Sequence, residues 1–161
     1  MAGLEAPGAM LLSAWNRLTP LPGGRALFAR FLGWLVPYTG SIRPRIEELS
    51  PGHAVVRLRD RRRVRNHLKS VHAIALVNLG EVATGLATLS ALGSEVRGIL
   101  AGISMEYLKK ARGTLVATAD TQVPATVDGP TDHVVVADIR DANGDVVARA
   151  TARWRLDRAR R

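Results

Sequence analysis

Hydrophobic residues recur along the chain with two different spacings. Near the start, the stretches GAMLLSAWNRL and RALFARFLGWLV repeat apolar residues every three or four positions, which predicts two amphipathic helices. Between residues 71 and 92, apolar residues occupy nearly every side of a longer helix, and such a helix is normally buried. The other apolar stretches alternate with polar residues and predict β-strands, so the chain is expected to combine helices with a sheet.

The predicted strands lie on both sides of the long helix. Before it, SIRPRIEELSPGHAVVRLRD reads as two strands joined at a Ser-Pro-Gly turn. After it come RGILAGISMEYL, TLVATADTQV, TDHVVVADIR and DVVARATARWRL, the last two joined through Asn143-Gly144, a pair that favours a tight hairpin turn. The first of these four is expected to present one apolar face made of Ile99, Ala101, Ile103, Met105 and Tyr107.

The last strand indicates how the helix and the sheet pack. Its alternation predicts one face made of Val146, Ala148, Ala150, Ala152 and Trp154. The opposite face is expected to carry Val147, Arg149, Thr151, Arg153 and Arg155. Because a stripe of alanines lets a bulky element approach closely, the long helix is expected to lie on it. A long central helix wrapped by a curved antiparallel sheet of five or six strands is the α+β arrangement called the hotdog fold, here with extra N-terminal helices that cap the core.

Length and composition favour a single domain without disulfides. The 161 residues are expected to form one hotdog domain, with a helical cap over residues 1–40 and the hotdog core over residues 41–157. The absence of cysteine excludes disulfides and cysteine-ligated zinc, and no metal-ligand or cofactor-binding spacing is present, so neither a metal nor a cofactor is expected. The start of the chain lacks the basic region of a signal peptide, which favours a cytoplasmic protein.

The formal net charge of +9 is explained either by an anionic partner, which the charge does not identify, or by a general preference for arginine that serves solubility alone. Nucleic acid, a membrane surface and the phosphates of coenzyme A are all compatible with that charge. Only 4% of the residues are aromatic, and the basic runs RDRRRVR and RWRLDRARR lack the stacking side chains typical of single-stranded nucleic-acid binding. Nucleic-acid binding is therefore kept as a minor alternative, and no nucleic-acid partner is expected.

The long helix carries polar residues that are costly to bury without a partner. His72, Asn78 and Glu81 interrupt an apolar segment long enough to cross a bilayer, which favours a buried helix and predicts no stable membrane insertion. Asn78 is interpreted as structural, and Ser70 is the expected N-cap of the helix. His72 and Glu81 are nine positions apart. In a helix they leave opposite sides, roughly 13 Å apart along the axis, so they can meet only across two copies of the chain.

The spacing N-x5-H-x8-E resembles the acyl-CoA thioesterases of the hotdog fold, of the phenylacetyl-CoA type. Asn66, His72 and Glu81 match the motif of that family, and Tyr107 and Gly113 match its later strand end and turn. The resemblance covers about residues 43–156 and leaves the N-terminal helices outside it. It implies an acyl-CoA substrate, no cofactor, and a homodimer or a dimer of dimers.

The resemblance also implies a role for each matched residue. Glu81 would be the general base or nucleophile, while Asn66 and His72 from the other chain would position water or the carbonyl. The backbone N–H of Ala73 would face the developing oxyanion. The candidate residues for the coenzyme A phosphates form two basic clusters: Arg61, Arg62, Arg63, and Lys109, Lys110, Arg112.

One departure from the motif keeps a second function open. The family has two glycines after the histidine, whereas this chain has Ala73 and Ile74. Ala73 still offers a backbone N–H, but the Ile74 side chain crowds the path of a substrate. This favours the alternative of a hotdog protein that binds an acyl chain or an acyl thioester without cleaving it. The motifs typical of hydratases and dehydratases on this fold are absent.

Overall fold

A computed structural model describes residues 7–159 of the chain, so the first six residues of the predicted cap lie outside the described residues. The helices are α1 (Pro7–Leu18), α2 (Gly24–Leu35), α3 (Pro37–Ile42) and α4 (Ala73–Ala91). The strands are β1 (Arg45–Ser50), β2 (His53–Leu58), β3 (Val96–Tyr107), β4 (Leu115–Asp120), β5 (Thr131–Arg140) and β6 (Val146–Arg158). A 3₁₀ turn, Arg62–Val64, lies between β2 and α4.

The six strands form one antiparallel sheet in the order β1-β2-β4-β5-β6-β3. The two predicted turns join neighbouring strands, and each contains a glycine in the left-handed region: Gly52 has φ 81° and Gly144 has φ 85°. Because α4 packs on all six strands, the sheet wraps around it. The predicted hotdog fold with a central helix and extra N-terminal helices is confirmed.

Small residues let α4 lie directly on β6. Ala148, Ala150 and Ala152 are fully buried, as the alanine stripe predicts. A Cβ added to Gly80 would lie 2.4 Å from the Ala150 Cβ, which is far inside van der Waals contact. α4 is the one helix within residues 7–159 that is long and apolar enough to cross a membrane, and 72% of its most apolar window is buried inside the protein. Its burial is that of a core helix.

Replacing Gly80 by alanine is expected to destabilise the protein by about 1–3 kcal/mol. The added methyl group meets the Ala150 Cβ, which is fixed to the backbone of β6 and cannot rotate away. Urea unfolding measures the loss, and Gly93→Ala is the control because a Cβ at Gly93 meets no atom within 4 Å. Equal stability of both variants and the wild type would contradict the close approach of α4 and β6.

The predicted single apolar face of β3 is wrong in its first half. Leu100, Ile103 and Met105 pack against the core, whereas Ile99 is 57% exposed. The pairing of β3 with β6 shifts between Leu100 and Gly102. Such a bulge adds one residue and sends the side chains before and after it to opposite faces of the strand.

β6 also departs from the prediction at its first residues. Val147, expected to face outward, is fully buried. The register of β5 and β6 shifts here, since Ile139 pairs with Ala148 but Arg140 pairs with Val146. Val147 is therefore left opposite no residue of β5, and the regular alternation begins only at Ala148.

The N-terminal helices cover one end of the core, as predicted. Leu11 and Trp15 of α1 and Phe28 and Leu32 of α2 are buried. The rings of Trp15 and Phe28 meet edge to face, with centroids 5.1 Å apart. Leu27 and Leu35 of α2 are exposed. The predicted division of the chain near residue 40 stays a prediction.

Candidate functional site

The loop that enters α4 is closed by the side chain of Asn66. Its Oδ1 accepts hydrogen bonds from the backbone N–H of Leu68 at 2.9 Å and of Ser70 at 3.2 Å, and from the Ser70 hydroxyl at 3.2 Å. The backbone N–H of Asn66 donates to the Ser70 carbonyl at 2.8 Å. Within residues 7–159 the Nδ2 group of Asn66 has no partner, so it is the part of this side chain that can still bind something else.

His72, and not the predicted Ser70, caps the N-terminus of α4. The backbone N–H of Ile74 donates to His72 Nδ1 at 3.1 Å. The Ser70 hydroxyl is used by Asn66 and lies too far before the first turn. An accepting Nδ1 places the proton of a neutral imidazole on Nε2, so the exposed edge of the ring offers a donor.

The first residue of α4 presents a free donor. The backbone N–H of Ala73 has no acceptor among the residues that the structure describes, whereas its carbonyl accepts from the Tyr107 hydroxyl at 3.3 Å. The 19-residue helix adds positive potential at this end. Ala73, Asn66 and Tyr107 line one cleft of about 310 Å³ together with Lys109 and Lys110. An anionic oxygen would be stabilised there.

His72 lies in a second cleft on the other side of the same loop. This cleft of about 220 Å³ also contains Ile74, Asn78, Tyr38 and Arg63. The structure therefore brings Asn66 and Ala73 together and places His72 around the start of the helix from them. Asn78 ties α3 to α4, because its Nδ2 donates to the Tyr38 carbonyl at 3.1 Å.

Glu81 is a half-buried carboxyl group without a partner. It forms no hydrogen bond or ion pair through its side chain with any described residue. Burial raises the pKa of the Glu81 carboxyl above its ordinary value of 4.5. The preceding residue, Gly80, packs against Ala150 of β6 and Met105 of β3. A desolvated carboxylate of this kind is suited to take a proton from water.

The raised pKa of Glu81 predicts a pH-dependent stability. Since the folded state binds this proton more tightly than the unfolded chain does, the stabilisation is complete below about pH 4.5 and is lost as the pH rises through the folded pKa. Glu81→Gln has no such ionisation, so its melting temperature is expected to exceed that of the wild type increasingly between about pH 4.5 and pH 7. Thermal unfolding across this range measures it, with the exposed Glu95→Gln as control. A difference that stays constant with pH would contradict the desolvation of Glu81.

The two predicted basic clusters are partly engaged within the chain. Arg61 donates to the Ile42 carbonyl, and Lys109 forms ion pairs with Asp141 and Asp145. Arg112 reaches the Leu68 carbonyl at 3.5 Å. The side chains that have no partner among the described residues are Arg62, Arg63 and Lys110. No group of three or more side chains suited to a metal ion occurs within residues 7–159.

The structure also assembles residues that the sequence did not connect. A cleft of about 820 Å³ is lined by four arginines: Arg30, Arg43, Arg45 and Arg63. Exposed apolar side chains surround the start of α4 and the end of β3: Leu68, Ile74, Tyr107 and Leu108. Of these four arginines only Arg63 belongs to the predicted phosphate-binding clusters, because the arginines are spread over separate elements and the sequence otherwise shows only an excess of positive charge.

Comparison with known proteins identifies the fold family. The family model described as "Domain of unknown function (DUF4442)" matches residues 24–156. No curated protein matches. The crystal structure of the genomics target APC5556 is 33% identical with a TM-score of 0.81, and the match covers 93% of this chain and 99% of that one.

Two further solved structures carry thioesterase names. A Pseudomonas aeruginosa protein of unknown function, PA5026, called a probable thioesterase, is 23% identical with a TM-score of 0.74, over 86% of this chain and 97% of its own. A thioesterase family protein from Silicibacter pomeroyi is 20% identical with a TM-score of 0.68, over 81% of this chain and 96% of its own. At these identities the likeness shows the fold, and the resemblance to hotdog-fold thioesterases is confirmed at that level.

Proposed function

The chain belongs to the DUF4442 family, and we propose that it hydrolyses an acyl-CoA thioester at a site shared by two copies of the chain. The observation that carries this proposal is Glu81, a half-buried carboxyl group with a raised pKa and no partner among the described residues. An unpartnered carboxylate in an apolar helix costs stability, and that cost is explained if the site uses the group. The thioesterase names of the structural neighbours support the same reaction.

The proposed reaction is a nucleophilic substitution at the thioester carbonyl carbon. Glu81 takes a proton from water while the water oxygen forms a bond to that carbon. The carbonyl oxygen becomes negative and accepts a hydrogen bond from the Ala73 N–H, at the positive end of the α4 dipole. The carbon–sulfur bond then breaks, and the leaving thiolate takes the proton from Glu81, which gives free coenzyme A and a carboxylic acid and returns Glu81 to its charged form. Direct attack by Glu81, followed by hydrolysis of the acyl-enzyme, gives the same products.

Asn66 and His72 are proposed to orient the reactants, since both offer N–H donors beside the start of α4. Asn66 holds its loop through Oδ1 and keeps Nδ2 available. His72 uses Nδ1 as the helix cap and keeps Nε2 available. Neither group has to transfer the proton, so both are positioning residues in this proposal.

The site requires a second copy of the chain because its parts are too far apart in one copy. Ala73 and Glu81 are eight positions apart in α4, which is about 12 Å along the axis. β3 lies at one end of the sheet, where only β6 pairs with it among residues 7–159. A 12-residue strand edge of this kind is a template for pairing with another chain.

A homodimer formed along β3 would also cover apolar surface. Leu68, Ile74, Tyr107 and Leu108 are each more than half exposed, between 51% and 56%. A two-fold axis beside β3 would bring the α4 loop of one copy toward Glu81 of the other. The proposal therefore has a dimer, or a dimer of such dimers, as the active form in the cytoplasm.

The second candidate function is binding of an acyl chain or acyl thioester without cleavage. Ile74 favours it, because its side chain is 52% exposed at the second residue of α4, beside the donor that would hold the oxyanion. A free-thiol release assay with acyl-CoA substrates from acetyl to long-chain separates the two functions. Thiol release by the wild type supports hydrolysis. Binding without release at every chain length replaces hydrolysis by the second function.

A further inference from the structure

The cleft of about 820 Å³ is strongly basic. It lies between α2, α3, the start of β1 and the 3₁₀ turn. Four arginines line it: Arg30 in α2, Arg43 directly after α3, Arg45 at the start of β1 and Arg63 in the 3₁₀ turn. No carboxylate is among its lining residues. Within residues 7–159 none of the four side chains forms an ion pair or a hydrogen bond.

Two arginines outside the cleft, one on α2 and one on β2, share a carboxylate partner, whereas none of the four inside it has one among residues 7–159. Arg25 and Arg57 both pair with Glu47, at 3.4 Å and 3.1 Å. The positive charges of the cleft also affect the neighbouring Arg61. Burial lowers the pKa of the Arg61 guanidinium, and repulsion from Arg43 and Arg63 lowers it further. Mutual repulsion of this kind disfavours the folded chain unless an anion offsets it.

The backbone around the cleft includes one residue, Arg43, in an energetically unfavourable conformation. Arg43 caps the C-terminus of α3 in the left-handed region, at φ 50° and ψ 60°. A residue with a side chain loses about 1–2 kcal/mol there, whereas glycine is the usual residue at such a position. One wall is formed where α2 and α3 cross closely, since a Cβ added to Gly40 would lie 3.0 Å from the Gly33 Cα. The strain at Arg43, at a position that suits glycine, is accounted for if the site uses the charge of the side chain.

We propose that this cleft binds the phosphate groups of coenzyme A, the carrier of the acyl group, so that the N-terminal helices form the carrier-recognition site of the protein. The identification of the anion as coenzyme A rests on the proposed function. Arginine guanidinium groups form paired hydrogen bonds to phosphate oxygens, and four of them fit a ligand with several phosphates. Ser41 and Arg63 also line the neighbouring cleft that contains His72. An arm extending from the bound phosphates can therefore reach the start of α4.

Titration calorimetry with coenzyme A tests the site directly. Arg30→Gln and Arg45→Gln are each expected to weaken binding about tenfold, the loss typical of one charge-assisted contact. Arg25→Gln is the matched control, because it removes the same charge from the same helix at a residue outside the cleft. Pantetheine, which lacks the phosphates, is expected to bind all these variants and the wild type equally weakly. Equal affinity of the cleft variants and Arg25→Gln for coenzyme A would overturn the proposal.

Arg43→Gly separates binding from folding. Glycine adopts the left-handed backbone without strain, so this variant is expected to unfold at a higher temperature than the wild type. Its affinity for coenzyme A is expected to fall about tenfold because the charge is gone. Higher thermal stability together with unchanged affinity would exclude Arg43 from the site.

Kinetics distinguish a failure of this site from a failure of the proposed function. The ratio of kcat/KM for an acyl-CoA to kcat/KM for the same acyl-pantetheine is expected to fall about tenfold in Arg30→Gln and to stay at the wild-type value in Arg25→Gln. Hydrolysis with an unchanged ratio would overturn the site and leave the function. Arginine-dependent binding of coenzyme A without hydrolysis of either thioester would keep the site and remove the function. Arginine-dependent binding of a DNA oligonucleotide but not of coenzyme A would assign the cleft to nucleic acid and overturn the proposal.

Discussion

Glu81→Gln is expected to lower kcat for acyl-CoA hydrolysis by a factor of about 10² or more, while the chain keeps its fold. The amide has the same shape as the carboxylate but cannot take the proton from the attacking water. Since the variant removes a desolvated ionisable group, it is also expected to be at least as stable as the wild type at neutral pH. Thiol release gives the rate, and thermal unfolding shows that the fold is intact.

The controls for this experiment separate the proton acceptor from other charge effects. Glu95→Gln removes an exposed carboxylate just after α4 and is expected to retain wild-type activity. His72→Ala is expected to reduce kcat less than Glu81→Gln does, because His72 orients groups and does not transfer the proton. Full hydrolysis by Glu81→Gln would show that the assigned base is wrong.

The fold was predictable because the hydrophobic patterns that determine it are local in the sequence. The alternation around Ala148, Ala150 and Ala152 marks a face that something bulky must approach, and the all-round apolar segment of residues 71–92 is the only helix suited to that place. Gly80 completes the contact with β6. Packing of this kind is determined by side-chain size, which the sequence displays directly.

Irregular positions were not predictable in the same way. The bulge of β3 beside Gly102 changes which side chains face the core, yet one extra residue in a strand leaves no change in composition. His72 and not Ser70 is the helix cap because α4 begins at Ala73, and the Ser70 hydroxyl donates to Asn66 in the folded loop. Both errors arise at irregular positions, where contacts formed in the folded chain determine the conformation.

The candidate site likewise has a part that the sequence predicts and a part that only the folded chain shows. The spacing of Asn66, His72 and Glu81 predicts them as site residues, whereas only the structure shows that the Glu81 carboxyl group has no partner within residues 7–159. The basic cleft as a whole is not predictable from the sequence, because Arg30 of α2 and Arg63 of the 3₁₀ turn are far apart in the chain and line one cleft only in the folded protein. Charge excess is visible in composition, but its location depends on tertiary structure.

The shared site makes a second variant as informative as Glu81→Gln. Ala73→Pro removes the backbone N–H proposed to hold the oxyanion, and proline is well tolerated at the first residue of a helix. The preceding residue, His72, already has the extended backbone that precedes proline, at φ −65° and ψ 141°. The fold is therefore expected to persist while kcat falls by a factor of about 10²–10³.

Mixing the two inactive variants is expected to restore about one quarter of the wild-type activity. In a symmetric dimer, a mixed pair of Glu81→Gln and Ala73→Pro chains has one site with both groups intact and one with neither. Random exchange makes about half of the dimers mixed, and half of their sites work.

Exchange is driven by dilution or mild urea, mixed dimers are confirmed with two affinity tags, and thiol release is then measured. Tagged and untagged Glu81→Gln chains mixed with each other serve as the control and should stay inactive. Mixed dimers that form but show no recovery would mean that Glu81 and the Ala73 N–H do not serve one site across the interface, and the proposed two-chain mechanism would fall.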